Sequence, residues 1–185
     1  MYGDYDVNRW QAAADAAKEV IDWANEGWAR IIDEHGPEKN YKYVWETVDN
    51  DEVIFDNKFG GERGRWSYPW PGILPSQLLD GYGGPSMNFQ FQQLYEKRDG
   101  TPQTWDMEGG DDLNQKYAEL DPRFHQTVFY NGSYWNEDFP FIETFEGGAH
   151  GDWENGNYGG AWQRKFIPDN LTPTSSPIPN NIIFR

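Results

Sequence analysis

Apolar residues along the first third of the chain recur with a helical period. Trp10, Ala14, Ala17, Ile21, Ala24, Trp28 and Ile31 follow at alternating spacings of four and three, which places them on one face of an amphipathic helix. Asn8 or Asp6 is suited to cap its start. Gly27 is suited to end it, with a second short helix from Trp28 to about Glu34, and His35-Gly36-Pro37 closes the unit. Five alanines between Ala12 and Ala17 keep this helix thin. Beyond it the pattern shortens. Glu52-Val53-Ile54-Phe55-Asp56 follows an Asp49-Asn50-Asp51 turn and reads as a strand. Asn88 is placed to cap a helix over 89–96, and Asp112 a helix over 113–119 that stops at Asp121-Pro122. The run from Phe124 to Tyr130 reads as a strand ending in an Asn131-Gly132 turn, and Gln163 to Ile167 as a last short strand. Between these elements lie long loops, at 60–88, 146–160 and 168–181, rich in Gly, Pro, Asn or Ser. The reading is of a mainly α chain with extensive loops and a few short strands.

An apolar helical stripe must be buried somewhere. No second helix of matching pattern lies near the first, so it is expected to pack on material outside these 185 residues. At the other end Ile182-Ile183-Phe184-Arg185 reads as the start of a further element, and the expectation is of a chain cut at both ends.

Composition narrows the function classes. The sequence carries 31 acidic against 15 basic residues, a formal charge of −16, which disfavours nucleic acid and anionic membrane surfaces as partners. It has no cysteine, so a disulfide framework, a thiolate zinc site and a cysteine nucleophile are excluded. No apolar run approaches the ~20 residues of a membrane helix, and Met1-Tyr2-Gly3-Asp4-Tyr5-Asp6 lacks the features of a signal peptide. The unusual quantity is aromatic: 10 Trp, 11 Tyr and 11 Phe in an otherwise polar chain. Some of these rings are expected at the surface, where a flat apolar face with a polar handle suits recognition.

Candidate chemistry follows from that surplus. His35, His125 and His150 are too dispersed for a histidine metal site, and Asp152 to Asn157 lacks the alternation of an EF-hand and reads as a solvated turn. No phosphate loop or nucleophile elbow is present, and carboxylate pairs sit in no distinctive motif. What remains are aromatic platforms. The C–H face of a sugar lies on Trp or Tyr, while its hydroxyls need polar partners. Trp66, Tyr68 and Trp70 beside Arg63 and Arg65 supply both, and Trp105 beside Gln103 and Asp106 is a second platform. Trp135, Trp153 and Trp162 lie near strand-like sequence and are weaker candidates.

Five stretches, in order, resemble the middle of a SusD/RagB-family protein. They are Arg9-Trp10-Gln11-Ala12-Ala13-Ala14 with Val20-Ile21, Asn50 to Phe55, Leu94-Tyr95-Glu96 through Asp99-Gly100-Thr101-Pro102, Asp121-Pro122-Arg123-Phe124 through Gly132, and Arg164-Lys165-Phe166. Met87-Asn88 and Gln92-Gln93 depart from the family's usual Pro-Thr and Val-Asp. The resemblance implies a fragment of a SusD-like, tetratricopeptide-type α–α superhelical fold. Residues 1–185 would form a partial domain, with 5–36 a helical repeat segment and 37–185 a loop-rich middle region. It also implies glycan binding at the bacterial outer-membrane surface of Bacteroidota, without enzymatic activity and without a cofactor. The partners implied are an oligosaccharide and a SusC-like TonB-dependent transporter. Membrane attachment would come only through a lipid anchor in a preceding part. Within that frame Arg65, Trp66, Tyr68, Trp70 and Trp105 are the expected ligand-binding residues. The alternatives are a glycoside hydrolase or its accessory domain, or a RagB-like peptide-capturing protein.

Overall fold

The computed structural model describes residues 5–47, 49–54, 86–150, 160–165, 167 and 169. Helix α1 spans Val7–Trp23. Asp6 caps it, its backbone extended and its carboxylate accepting the Asn8 N–H at 2.9 Å. The helix runs into a π-helical turn, Ala24–Trp28, where Gly27 takes φ 102°, a left-handed value that costs glycine little. Trp23 and Trp28 stack almost parallel across this turn, 6.0 Å apart. Ala29 is then fully extended, so the short helix expected from Trp28 to Glu34 does not form. The reversal at Gly27 already ends the helix, and the following segment bonds elsewhere: Arg30 N–H donates to the Asp51 carbonyl and Ile32 N–H to the Glu52 carboxylate.

Helix α2, Asn40–Glu46, has no counterpart in the apolar pattern. It is held from outside. The Lys42 N–H donates to the Gln126 side chain at 2.8 Å, and Trp45 is buried. The Asn50 amide closes the loop behind it by donating to the Val44 and Thr47 carbonyls. Residues 51–54 form a turn and bend, not the expected strand start. With the Asn50 carboxamide accepting the Glu52 N–H, the segment is tied locally and has no strand partner among the described residues.

Among the described residues, three short helices and a two-stranded sheet make up the rest. Helix α3, Phe89–Gln92, is capped by Asn88, and helix α4, Leu113–Ala118, by Asp112. The helix expected to reach residue 96 ends at Gln92, because the chain turns to make the isolated bridges Glu96↔Pro102 and Lys97↔Leu120. Helix α5, Pro122–Thr127, replaces the first half of the strand expected over 124–130. Asp121 accepts the Arg123 N–H and Pro122 stands at the first helical position, where its missing donor is harmless. The same dipeptide that stops α4 therefore starts α5. Strand β1, Val128–Tyr130, pairs antiparallel with β2, Ala161–Gln163, with Phe129 opposite Trp162. The last strand was expected over 163–167 and lies instead over 161–163. After it, Arg164 and Lys165 N–H groups bond to the Thr127 carbonyl, turning the chain away.

Alternation along the pair separates two clusters. Phe129 and Trp162 pack with Trp135, Phe139, Ile142 and Ile167. Val128 and Ala161 pack on the other side with Tyr117, Leu120 and Phe124. Trp135 and Trp162 are thus core residues, each 1 % exposed, as their strand-like surroundings suggest.

Candidate functional site

Arg65, Trp66, Tyr68 and Trp70, the loop platform read from the sequence, lie outside the described residues, as does Trp153. Trp105 is described. It is half-buried, with its ring edge-on to Phe89 at 5.4 Å and tilted against Tyr117 at 6.1 Å. Its indole N–H is buried without a hydrogen-bond partner among the described residues. Gln103 beside it bonds to the Lys116 carbonyl and the Glu119 carboxylate, so it braces α4.

Phe89 and Tyr117, the two rings Trp105 backs, line a cleft of about 650 Å³. Its walls come from α3, the 106–112 loop, α4, and the segments around Asn131, Thr144 and Gly160. The α3 wall is set by Gln92. Its carbonyl accepts the Tyr117 hydroxyl at 2.6 Å, and its amide donates to the Met87 carbonyl. Burial next to Tyr130 raises the Tyr117 phenol to about 12, so it stays a donor.

The 106–112 loop is folded around Asp106, whose carboxylate accepts the Glu108 and Gly110 N–H groups. A side chain at Gly110 would collide with that carboxylate. The Asp106 N–H donates to Asp111 at 2.6 Å, and this bond holds the Asp111 carboxyl below the usual carboxylate range. Lys116 lies 3.2 Å from Asp111 and donates to the Thr104 carbonyl. Asp112 caps α4, accepting the Asn114 and Gln115 N–H groups.

On the far side the Asn131 carboxamide accepts the Thr144 N–H, and the Thr144 hydroxyl donates to the Gly160 carbonyl. Gly132, at φ 86°, completes the Asn131-Gly132 turn. The Asn114 amide, exposed at the cleft, has no side-chain partner among the described residues. The rim is apolar and open: Met107 is 70 % exposed, Phe145 52 % and Leu113 41 %. Rings at the edge, amides on the walls and three aspartates at one side suit a hydroxyl-rich ligand with an apolar face. Among the described residues no group of His, Asp and Glu is arranged to hold a metal ion, and no helix is long and apolar enough to cross a membrane.

Of the sequence candidates, the structure brings Trp105 and Asp106 to this cleft, one behind its wall and one in it. It adds Phe89, Asn114, Tyr117, Asn131 and Phe145, which sequence reasoning missed.

The comparisons with known proteins agree with this architecture. A sequence model of the SusD family matches residues 51–185. Among solved structures, the chain is similar to a SusD-like protein from Bacteroides fragilis, with a TM-score of 0.58 at 21 % identity. That likeness covers 89 % of this chain and 35 % of the other. No curated protein sequence matches. With the family matched over most of its length, and a mainly helical fold with few short strands like that of a SusD-like structure, the chain belongs to the SusD family.

Proposed function

We propose that this protein binds glycan without cleaving it, as part of a longer surface lipoprotein that hands oligosaccharide to a TonB-dependent outer-membrane transporter. On this reading the 185 residues are a partial domain, with 5–36 a helical repeat segment and 37–185 a loop-rich region carrying part of the ligand site. The observation that carries the reading is the cleft beside Trp105, where an exposed Phe145 and Leu113 face amides and carboxylates. Family membership supports the glycan class. The absence of a distinctive carboxylate motif in the sequence supports binding over hydrolysis.

Two substitutions test the site in the full-length protein. Phe145→Ala removes an exposed ring, so it should leave the melting temperature in place and weaken glycan binding by about 1–2 kcal/mol. Trp66→Ala or Trp70→Ala should weaken it by about 1–3 kcal/mol if the 61–72 loop supplies the second platform. Unchanged calorimetric affinity in all three variants would remove the site assignment. Reducing ends released over hours would favour a glycosidase instead.

A further inference from the structure

The proposed cleft carries information about the charge of its ligand, and this inference rests on the glycan reading above. Three aspartates, Asp106, Asp111 and Asp112, stand on one side of it. Their positions are fixed by the chain's own donors. Both Asp106 oxygens accept backbone N–H groups, one Asp111 oxygen accepts the Asp106 N–H, and one Asp112 oxygen accepts two N–H groups of α4. Moving any of them away from an incoming anion would undo a turn or a helix cap. The cation beside them, Lys116, is turned to Asp111 and the Thr104 carbonyl and neutralises one charge of the three. The same sign holds for the whole sequence, at −16.

These carboxylates spend oxygens on the backbone, so they offer a ligand more negative potential than acceptor capacity. Hydrogen bonding to the ligand falls to the neutral groups on the other walls, the exposed Asn114 amide and the Asn131 carboxamide with one further acceptor site, while Phe145 and Leu113 give its apolar face a surface. We propose that the ligand of this cleft is an uncharged saccharide, and that the fixed aspartates reject uronate-containing, sulfated and sialylated glycans. One carboxylate or sulfate brought to about 5 Å from an aspartate at the protein surface weakens binding on the order of tenfold. A polyanion meets the repulsion of the whole chain before it arrives.

The test is affinity electrophoresis of the full-length protein through gels holding one polysaccharide each. Starch, xylan, mannan and mixed-linkage glucan form the neutral set, and polygalacturonate, alginate and heparin the anionic set. The expected result is retardation in at least one neutral gel and none in the anionic gels. Retardation should persist at about 0.5 M NaCl, because stacking and neutral hydrogen bonds are not screened. Retardation by an anionic polymer, or loss of neutral retardation in salt, would overturn the charge assignment while leaving glycan binding intact. Free migration in every gel would overturn the glycan reading and the inference with it. Asp112→Asn keeps an N-cap but removes a charge from the cleft. It should bring measurable retardation in the polygalacturonate gel without shifting the melting temperature, and continued free migration there would overturn the assignment of the rejection to this wall.

Discussion

Helix α1 and the β1–β2 pair make opposite use of their aromatic residues. Trp10, on the apolar stripe of α1, is 65 % exposed, and no residue of that helix is buried. Trp162, in a strand of three residues, is 1 % exposed. The longer and more regular element contributes no buried residue to the described core, while the shorter one organises it. Amphipathic period therefore reports that a face is made to be covered, and it does not report whether its cover is present. Burial in this chain comes from short elements that local chemistry starts and stops within a few residues, at Asn88, Asp112 and Asp121.

The widest separation between the two regions should appear on truncating their tryptophans. Trp162→Ala should cost about 3–5 kcal/mol in urea denaturation, the loss of a fully buried aromatic with its cavity. Trp10→Ala in the same 185-residue chain should stay within about 0.5 kcal/mol. Equal losses would end the distinction. Tyr117→Phe strands the buried Gln92 carbonyl that its hydroxyl now satisfies and should cost about 1–2 kcal/mol. Next come the caps. Asp121→Ala should lower the global unfolding free energy by about 1 kcal/mol. Asp6→Ala should lower helical circular dichroism and leave the unfolding midpoint in place, because α1 lies outside the cooperative core.

The smallest effect concerns pH. Burial holds His125, with Arg98 nearby, and also His150 below the ordinary imidazole value of 6.5. A lowered folded value means the neutral ring is favoured by folding. The stability it contributes is complete above pH 6.5 and is lost as pH falls through the lower folded value. His150 shows why, since its Nδ1 accepts the Glu143 N–H and a protonated ring has no acceptor to offer. The melting temperature should drop as the pH falls below 6.5, and His150→Asn, which keeps an acceptor, should flatten part of that drop.

What the sequence made legible was local. The caps at Asn88 and Asp112, the choice of Asp6 or Asn8 for α1, the break at Gly27 and the Asn131-Gly132 turn each rest on one or two residues. Helix α2 was not legible, because Tyr41, Val44 and Trp45 give a single i, i+3, i+4 set, too short to mark a helix, and the helix leans on Gln126, 84 residues away from Lys42. Phe124 to Tyr130 is a short segment of aromatic and β-branched residues that reads as strand, and the Asp121-Pro122 start turned its first half into helix. The cleft was legible only through Trp105 and Asp106. Its other lining residues, such as Phe89, Asn114, Asn131 and Phe145, come to one cleft from segments far apart in sequence, and no spacing announces that.

The shared dipeptide between α4 and α5 has a mechanical consequence. With Asp121 bonded through its N–H to the Glu96 carbonyl and through its carboxylate to Arg123, no free linker separates the helix that walls the cleft from the strand that anchors the core. The wall is tied to β1 through α5 and the bonded residues 119–121, with no free loop between them. On the proposed reading, a ligand entering beside Asn114 would meet walls held by these bonds, and its association would be spared the ordering entropy of an unfastened loop.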